Sequence, residues 1–450
     1  MADQSIIRIT KEIGELQKSS DLSLAVAFRD RDVRNVKALI IGPHETPYEF
    51  GFFEFSVKFN KEDYPRKSPT VTGTTTNSGR CRFNPNIYGS GKVCLSILGT
   101  WRGERGEEWS AAQGLESILL SIQSLMSSNP YENEPGFEDA NELHDKKNQK
   151  EYIEKIRHET LRISIIQRLE DYLGITGSCL TAPTPAEQQN YRIDLDDDID
   201  VDDATVPWEP FKDLCKRRFL WYFDTYLETI KKAKEEVKDG QPFVRMPFEG
   251  SSNTMDGKFN YTDLEQRLCR IKAALDAESD RWAVEGVSSR VKDTTMAVNL
   301  RRQFEQIKES FKGSDVPRNI ELVDDNPFVW DLTYFGRPMT NLDGGVFRIK
   351  LNFSPSFPEE QPRVKFLTPI FHHRIATDGT LCYFPKPNRR EDVKQHIEAI
   401  IEALEEEQPP YDPRTLIHPE AHKLYWGSAD ERRTYNRRLR RSVQRSAEDF

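Results

Sequence analysis

Two cysteines stand at matching places in two similar stretches of this 450-residue chain. Cys94 follows the polar turn Asn84-Pro85-Asn86 and lies eight residues after Asn86. Cys382 follows Phe371-His372-His373-Arg374 and lies eight residues after Arg374. A cysteine can carry an acyl group as a thioester if its thiolate is reachable, if it leaves readily in the next transfer and if no second thiol is near enough to trap the group. Its flanks alone, Val93, Leu95, Ile97 and Leu98, would make Cys94 a buried strand residue, because a free cysteine packs as a small hydrophobe. The recurrence of the whole stretch argues for chemistry instead.

The surroundings repeat as well. The first copy runs through Thr46-Pro47-Tyr48, Gly51-Phe52-Phe53, Tyr64-Pro65 and Asn84-Pro85-Asn86 to Cys94-Leu95. The second runs through Gly344-Gly345-Val346-Phe347, Phe357-Pro358 and Phe371-His372-His373-Arg374 to Leu381-Cys382. Ile6, Ile9, Ile13 and Leu16 recur at helical spacing and predict an amphipathic first helix. Apolar stretches at 22–28, 36–41, 52–59 and around 71 predict a meander of strands. After Cys94, Leu115, Ile118, Leu119, Ile122 and Leu125 mark a buried helix, and another is expected over about 147–173. Val393, Ile397, Ile400 and Leu404 repeat the helix that follows the cysteine.

Between the copies, residues 178–205 contain Thr181-Ala182-Pro183-Thr184-Pro185 and seven aspartates from Asp194 to Asp203. That composition offers too little core to offset its ordering entropy and predicts a flexible acidic linker. Residues 206–295 read as helical. Aromatic and leucine residues recur from Phe211 to Ile230, and Thr262 with Glu265 reads as a capping box ahead of Leu264, Leu268, Ile271 and Leu275. So many aromatics need a surface, and the first copy is the expected one.

The repeated motifs resemble the catalytic domain of ubiquitin-conjugating enzymes. The large enzyme Z branch is matched through Arg82-Phe83-Asn84-Pro85-Asn86-Ile87-Tyr88, Gly91-Lys92-Val93-Cys94-Leu95-Ser96-Ile97-Leu98-Gly99-Thr100-Trp101, Asn129-Pro130-Tyr131 and Ile156-Arg157-His158-Glu159-Thr160. The resemblance implies an α+β fold in which a four-stranded antiparallel sheet is flanked by helices, present twice with a helical insert between. The organisation it implies is a catalytic domain over 1–175, the linker, the helical extension and a second such domain over 298–450. It also implies an acyltransferase with Cys94 as the thioester nucleophile and Asn86 as the donor to the developing oxyanion, a kind of donor whose loss costs on the order of 100-fold or more.

The implied partners are ubiquitin or a ubiquitin-like modifier, an activating enzyme and a ligase or substrate protein. ATP is consumed at the activating enzyme, with no cofactor bound here. The family's histidine is replaced by Asn84, which can still hydrogen-bond within the turn. Ser96 stands where an aspartate often orients the incoming lysine. Arg66 stands where an apolar residue often grips a ligase, and Arg102-Gly103-Glu104-Arg105-Gly106-Glu107 lengthens the next segment. In the second copy, Arg374 takes the donor position and Tyr383-Phe384-Pro385 departs from the usual continuation. A guanidinium is not isosteric with a carboxamide, so this copy is expected to bind or scaffold, with Cys382 kept as a second thioester candidate.

Composition sets the remaining bounds. The net charge is −10, but without the seven linker aspartates the chain carries only −3, so no basic field argues for nucleic acid. The six cysteines show no C-x-x-C spacing, and neither a disulfide framework nor a metal site is expected. No run of about 18 apolar residues exists to span a bilayer. Met1-Ala2-Asp3-Gln4-Ser5 has no apolar signal core, so a reducing, cytoplasmic or nuclear address is expected. The arginine-rich end, Arg432 to Arg441, reads as a solvated helix face. A non-catalytic ubiquitin-binding adaptor is the competing reading, and such a protein would have no reason to keep both Asn86 and Cys94.

Overall fold

A computed structural model describes residues 3–19, 21–103, 106–175, 208–250, 255–291, 295–312, 318–406 and 408–448. The expected acidic linker lies outside these residues. The first copy opens with helix α1 (Gln4–Lys18), which Asp3 caps by accepting from Ser5 N. Four antiparallel strands follow in sequence order: β1 (Leu24–Arg29), β2 (Asp32–Ile41), β3 (Phe52–Lys58) and β4 (Thr70–Gly73). Strand alternation divides β2 between two cores. Val36, Ala38 and Ile40 face α1 and helix α2 (Leu115–Ser124), whereas Leu39 and Ile41 face the other way. Of the predicted α1 stripe, Ile9, Ile13 and Leu16 are buried, but Ile6 is 38% exposed.

The helix expected over 147–173 is one rod with an irregular middle: α3 (Leu143–Glu159), a π-helical stretch (Thr160–Gln167) and α4 (Arg168–Leu173). Ser164 Oγ donates back to Thr160 O over 2.7 Å within that stretch. The second copy repeats the first copy's plan. Helix α7 (Thr295–Phe311) precedes an antiparallel sheet of β5 (Arg318–Leu322), β6 (Val329–Phe335), β7 (Val346–Asn352) and β8 (Arg363–Phe366), followed by α8 (Val393–Glu405), α9 (Pro419–Trp426) and α10 (Ala429–Glu448).

Two long helices lie between the copies, α5 (Lys212–Glu236) and α6 (Tyr261–Val291). The predicted capping box at Thr262 and Glu265 does not form. Asn260 Oδ1 instead accepts from Asp263 N, and the Asp239 carboxylate accepts from Tyr261 N and Thr262 N, because the tertiary fold brings a stronger acceptor to the helix start. Glu265 pairs with Lys234. The insert covers the first copy as expected, and it covers the second as well. One core joins Leu39, Ile41, Phe50 and Phe52 through Phe219, Tyr222 and Tyr226 of α5 to Ala376, Cys382, Leu416 and Ile417. Each fully buried large side chain at such a seam contributes about 1.5–3 kcal/mol, so α5 acts as shared filling between the first sheet and the cysteine turn of the second copy.

Candidate functional site

The turn before each cysteine is built alike. Gly91 and Gly379 stand three residues ahead of Cys94 and Cys382 at φ +87° and +90°. A Cβ there would lie 2.4 Å from Gly73 O or 2.3 Å from Phe366 O, so only glycine fits the turn. Gly91 O accepts from Gly73 N over 2.7 Å, and Gly379 O accepts from Phe366 N over 2.8 Å. Each cysteine then donates its backbone N–H to the residue eight earlier: Cys94 to Asn86 O at 2.8 Å, and Cys382 to Arg374 O at 2.9 Å.

At Cys94 the side chain of Asn86 completes a reciprocal link, its Nδ2 donating to Cys94 O over 3.0 Å. Asn86 is positioned by Asn84, whose Oδ1 accepts from Asn86 N over 2.9 Å. Fully buried Asn84 in turn donates to Leu125 O at 2.8 Å and to Tyr48 Oη at 3.0 Å, while Tyr48 Oη donates to Phe83 O at 2.7 Å. The carboxamide therefore does the turn-shaping work expected of it. Beneath the turn, buried Arg82 donates to Pro85 O at 2.6 Å and pairs with Glu134 at 2.9 Å. Sequence reasoning missed Arg82, although its place two residues ahead of the turn was a usable signal.

Cys94 is only 4% exposed; the two residues after it, Leu95 and Ser96, are half-buried, and Trp101 is exposed. Ser96 Oγ lies 3.4 Å from a carboxylate oxygen of Glu107. Glu134 is held by Arg82, and burial raises its pKa. Glu132 accepts from Asn129 Nδ2 at 2.7 Å. In the Tyr64-Pro65 loop, Arg66 is exposed and donates to Glu62 O over 2.8 Å, while Trp109 Nε1 donates to Pro65 O over 2.9 Å.

Cys382 occupies a different environment. It is fully buried in the core shared with α5, and burial pushes its thiol up to about 11 against the opposing pull of Arg374 and Arg218. The Arg374 guanidinium is turned to Glu406 at 2.7 Å and lies 5.4 Å from the Phe384 ring. Helix α5 spans this side of the second copy. Tyr222 Oη donates to Arg414 O at 2.8 Å, Thr225 Oγ1 to Leu416 O at 3.3 Å, and Asp224 accepts from Thr377 N at 2.9 Å. A buried Asp213–Arg363 pair at 2.8 Å fixes the start of the same helix to β8. Of the arginine-rich end, Arg433, Arg437, Arg440 and Arg441 are exposed, as expected for a solvated face. Arg432 stacks 3.4 Å from the Tyr425 ring centroid and Arg438 pairs with Glu420, so these two hold α10 to its own domain.

Among the described residues no group of histidine, cysteine and acidic side chains could hold a metal ion, and no helix is long and apolar enough to cross a membrane. A family model described as "Ubiquitin-conjugating enzyme" matches residues 8–160 and 300–438, one match over each copy. "Ubiquitin-conjugating enzyme E2 Z" of Homo sapiens is 38% identical over 271 residues, a match that spans 60% of this chain and 64% of that protein. The protein of the same name from Xenopus tropicalis is 47% identical over 169 residues, spanning 38% of this chain and 52% of that one. Among solved structures, a Toxoplasma gondii ubiquitin-conjugating enzyme E2 domain is 25% identical, covering 35% of this chain and 97% of that chain with a TM-score of 0.28. With its family match falling on both sheets and both cysteine turns, the chain belongs to the ubiquitin-conjugating enzyme family.

Proposed function

We propose that this chain is a ubiquitin-conjugating transferase that works through its first copy. Cys94 takes ubiquitin or a ubiquitin-like modifier from an activating enzyme, which consumes the ATP, and holds it as a thioester. A lysine amine of a substrate, presented with or without a ligase, then attacks the thioester carbonyl. The C–N bond forms, the C–S bond breaks, the electron pair leaves on Cys94 sulfur and the amine proton passes to solvent. Asn86 is the proposed oxyanion stabiliser. Its amide nitrogen carries two hydrogens, and the one on Cys94 O leaves the second for the developing charge.

The observation that carries this reading is the contrast between the two cysteines. The Asn86 and Cys94 pair is intact and linked in both directions, whereas Cys382 lies beneath α5 and Arg374 pairs with Glu406. The second copy is accordingly proposed as a binding or scaffolding domain. The five described cysteines are free thiols, which suits the proposed cytoplasmic or nuclear address. The test is incubation of the full chain with ATP and a panel of activating enzymes and modifiers, followed by a non-reducing gel. A reductant-sensitive adduct that needs Cys94 supports the transferase. Its absence with every pair, together with modifier binding to the uncharged chain, would favour the adaptor.

A further inference from the structure

Two peptide planes flank the Cα of Cys94, and all four of their polar groups are held. Asn86 takes two of them, Cys94 N–H and Cys94 C=O. The other two belong to Thr100. Its Oγ1 donates to Val93 O over 2.6 Å and accepts from Leu95 N over 3.0 Å. The chain reaches Thr100 by passing through a 3-10 turn (Ser96–Leu98) and reversing at Gly99, which sits at φ +65° in the left-handed region. Thr100 N then donates to Leu95 O over 3.3 Å and closes the loop.

A residue's φ and ψ are set by the orientations of the planes on either side of its Cα. With both planes gripped on both edges, the direction of the Cys94 Cα–Cβ bond is fixed, and with it the region the sulfur can occupy. Asn86 supplies one half of this grip and Thr100 the other, from opposite sides in the sequence. Neither side-chain contact carries over to the second copy. Arg374 is turned to Glu406, and the residue six after Cys382 is Asn388, on a separate 3-10 turn (Pro387–Arg389).

We infer that Thr100 is a positioning residue for Cys94, acting through its hydroxyl on the two peptide planes rather than by touching the modifier. The inference rests on the reading of Cys94 as the thioester residue. It predicts that replacing the hydroxyl while keeping the shape misplaces the sulfur relative to an attacking amine. A misplacement of about 1 Å at a reacting centre can cost on the order of 100-fold, and a loss of about tenfold or more is expected here.

The experiment uses the full chain as wild type, Thr100→Val and Thr100→Ser, with thermal unfolding to verify folding. One measurement is the rate of discharge of charged protein onto free lysine at several lysine concentrations. The other is the rate of iodoacetamide alkylation of Cys94 followed by peptide mass spectrometry, which needs no activating enzyme. Thr100→Val should discharge about tenfold or more slowly at an unchanged half-saturating lysine concentration. Its Cys94 should alkylate faster, because a thiol released from its fixed direction samples solvent. Thr100→Ser, which keeps Oγ, should match wild type in both. Wild-type behaviour of a folded Thr100→Val protein overturns the inference, as does equal impairment of Thr100→Ser and Thr100→Val. If wild-type protein fails to charge on Cys94, the transferase reading falls, and the alkylation rates alone decide whether Thr100 holds the cysteine.

Discussion

Phe50 and Tyr222 stack face to face, with ring centroids 3.9 Å apart and planes within 5° of parallel. Phe50 belongs to the loop between β2 and β3 of the first copy and Tyr222 to helix α5, where it shares one buried core with Cys382. The Tyr226 hydroxyl donates to Phe50 O over 2.9 Å, one helical turn further on. Through this contact the back of the first sheet, the extension and the second cysteine turn share one core. The second copy is thus built into the fold of the first, and the consequences can be measured.

The two cysteines should separate cleanly. Cys94→Ala is expected to abolish the reductant-sensitive adduct, and Cys94→Ser to trap a reductant-resistant ester. Cys382→Ala should charge like wild type. Retention of the adduct by Cys94→Ala, with its loss on further replacing Cys382, would reverse the assignment.

Asn86→Ala removes the side-chain donor but leaves the backbone carbonyl that accepts from Cys94 N. Charging, a thiol exchange, should change little, while discharge onto free lysine should slow by about 100-fold if the carboxamide stabilises the oxyanion. Discharge at the wild-type rate would reduce Asn86 to a turn residue.

Lys155 on α3 and Glu249, in the connection between α5 and α6, form a buried pair at 2.6 Å, with side chains 0% and 3% exposed. Lys155 Nζ also donates to Val244 O at 2.9 Å. Glu249→Ala would strand an uncompensated ammonium, a change that costs about 3–5 kcal/mol in such settings. Denaturant midpoints should show it, and Lys155→Met with Glu249→Leu together should recover much of the loss. A Glu249→Ala midpoint within error of wild type would mean that the lysine finds water.

Acid should weaken the second copy. Burial lowers His372 to about 3 and His396 and His422 to about 4. Below about 6.5 the unfolded chain takes up protons at these sites that the folded chain refuses. Stability therefore falls as pH drops from about 6.5 toward 4, by at most about 1.4 kcal/mol per pH unit for each histidine. Arg374 and His418 add to the effect at His372, and His44 adds to it at His422, where Asp412 opposes it. Urea midpoints at pH 7.5, 6 and 5 should decline, with a shallower slope for His372→Gln. A flat profile contradicts the buried neutral imidazoles.

The repeat, the α+β character of each copy and the pairing of Asn86 with Cys94 were legible in the residues alone. These features are local or periodic: a cysteine eight residues after a polar turn, strands that alternate, a helix stripe at Ile118, Leu119 and Ile122. Their surroundings came from contacts between segments far apart in the chain. Asn260 and Asp239 displaced the Thr262 and Glu265 box because a helix start takes whichever acceptor the fold brings near. Thr100 joined the Cys94 grip only because Gly99 reverses the chain there. Cys382 and Cys94 follow nearly identical turns, yet one is sealed because the aromatic face of α5 buries against the second cysteine turn as well as against the first copy that the sequence suggested. Spacing records bonds made along the chain, whereas burial depends on which distant surfaces meet.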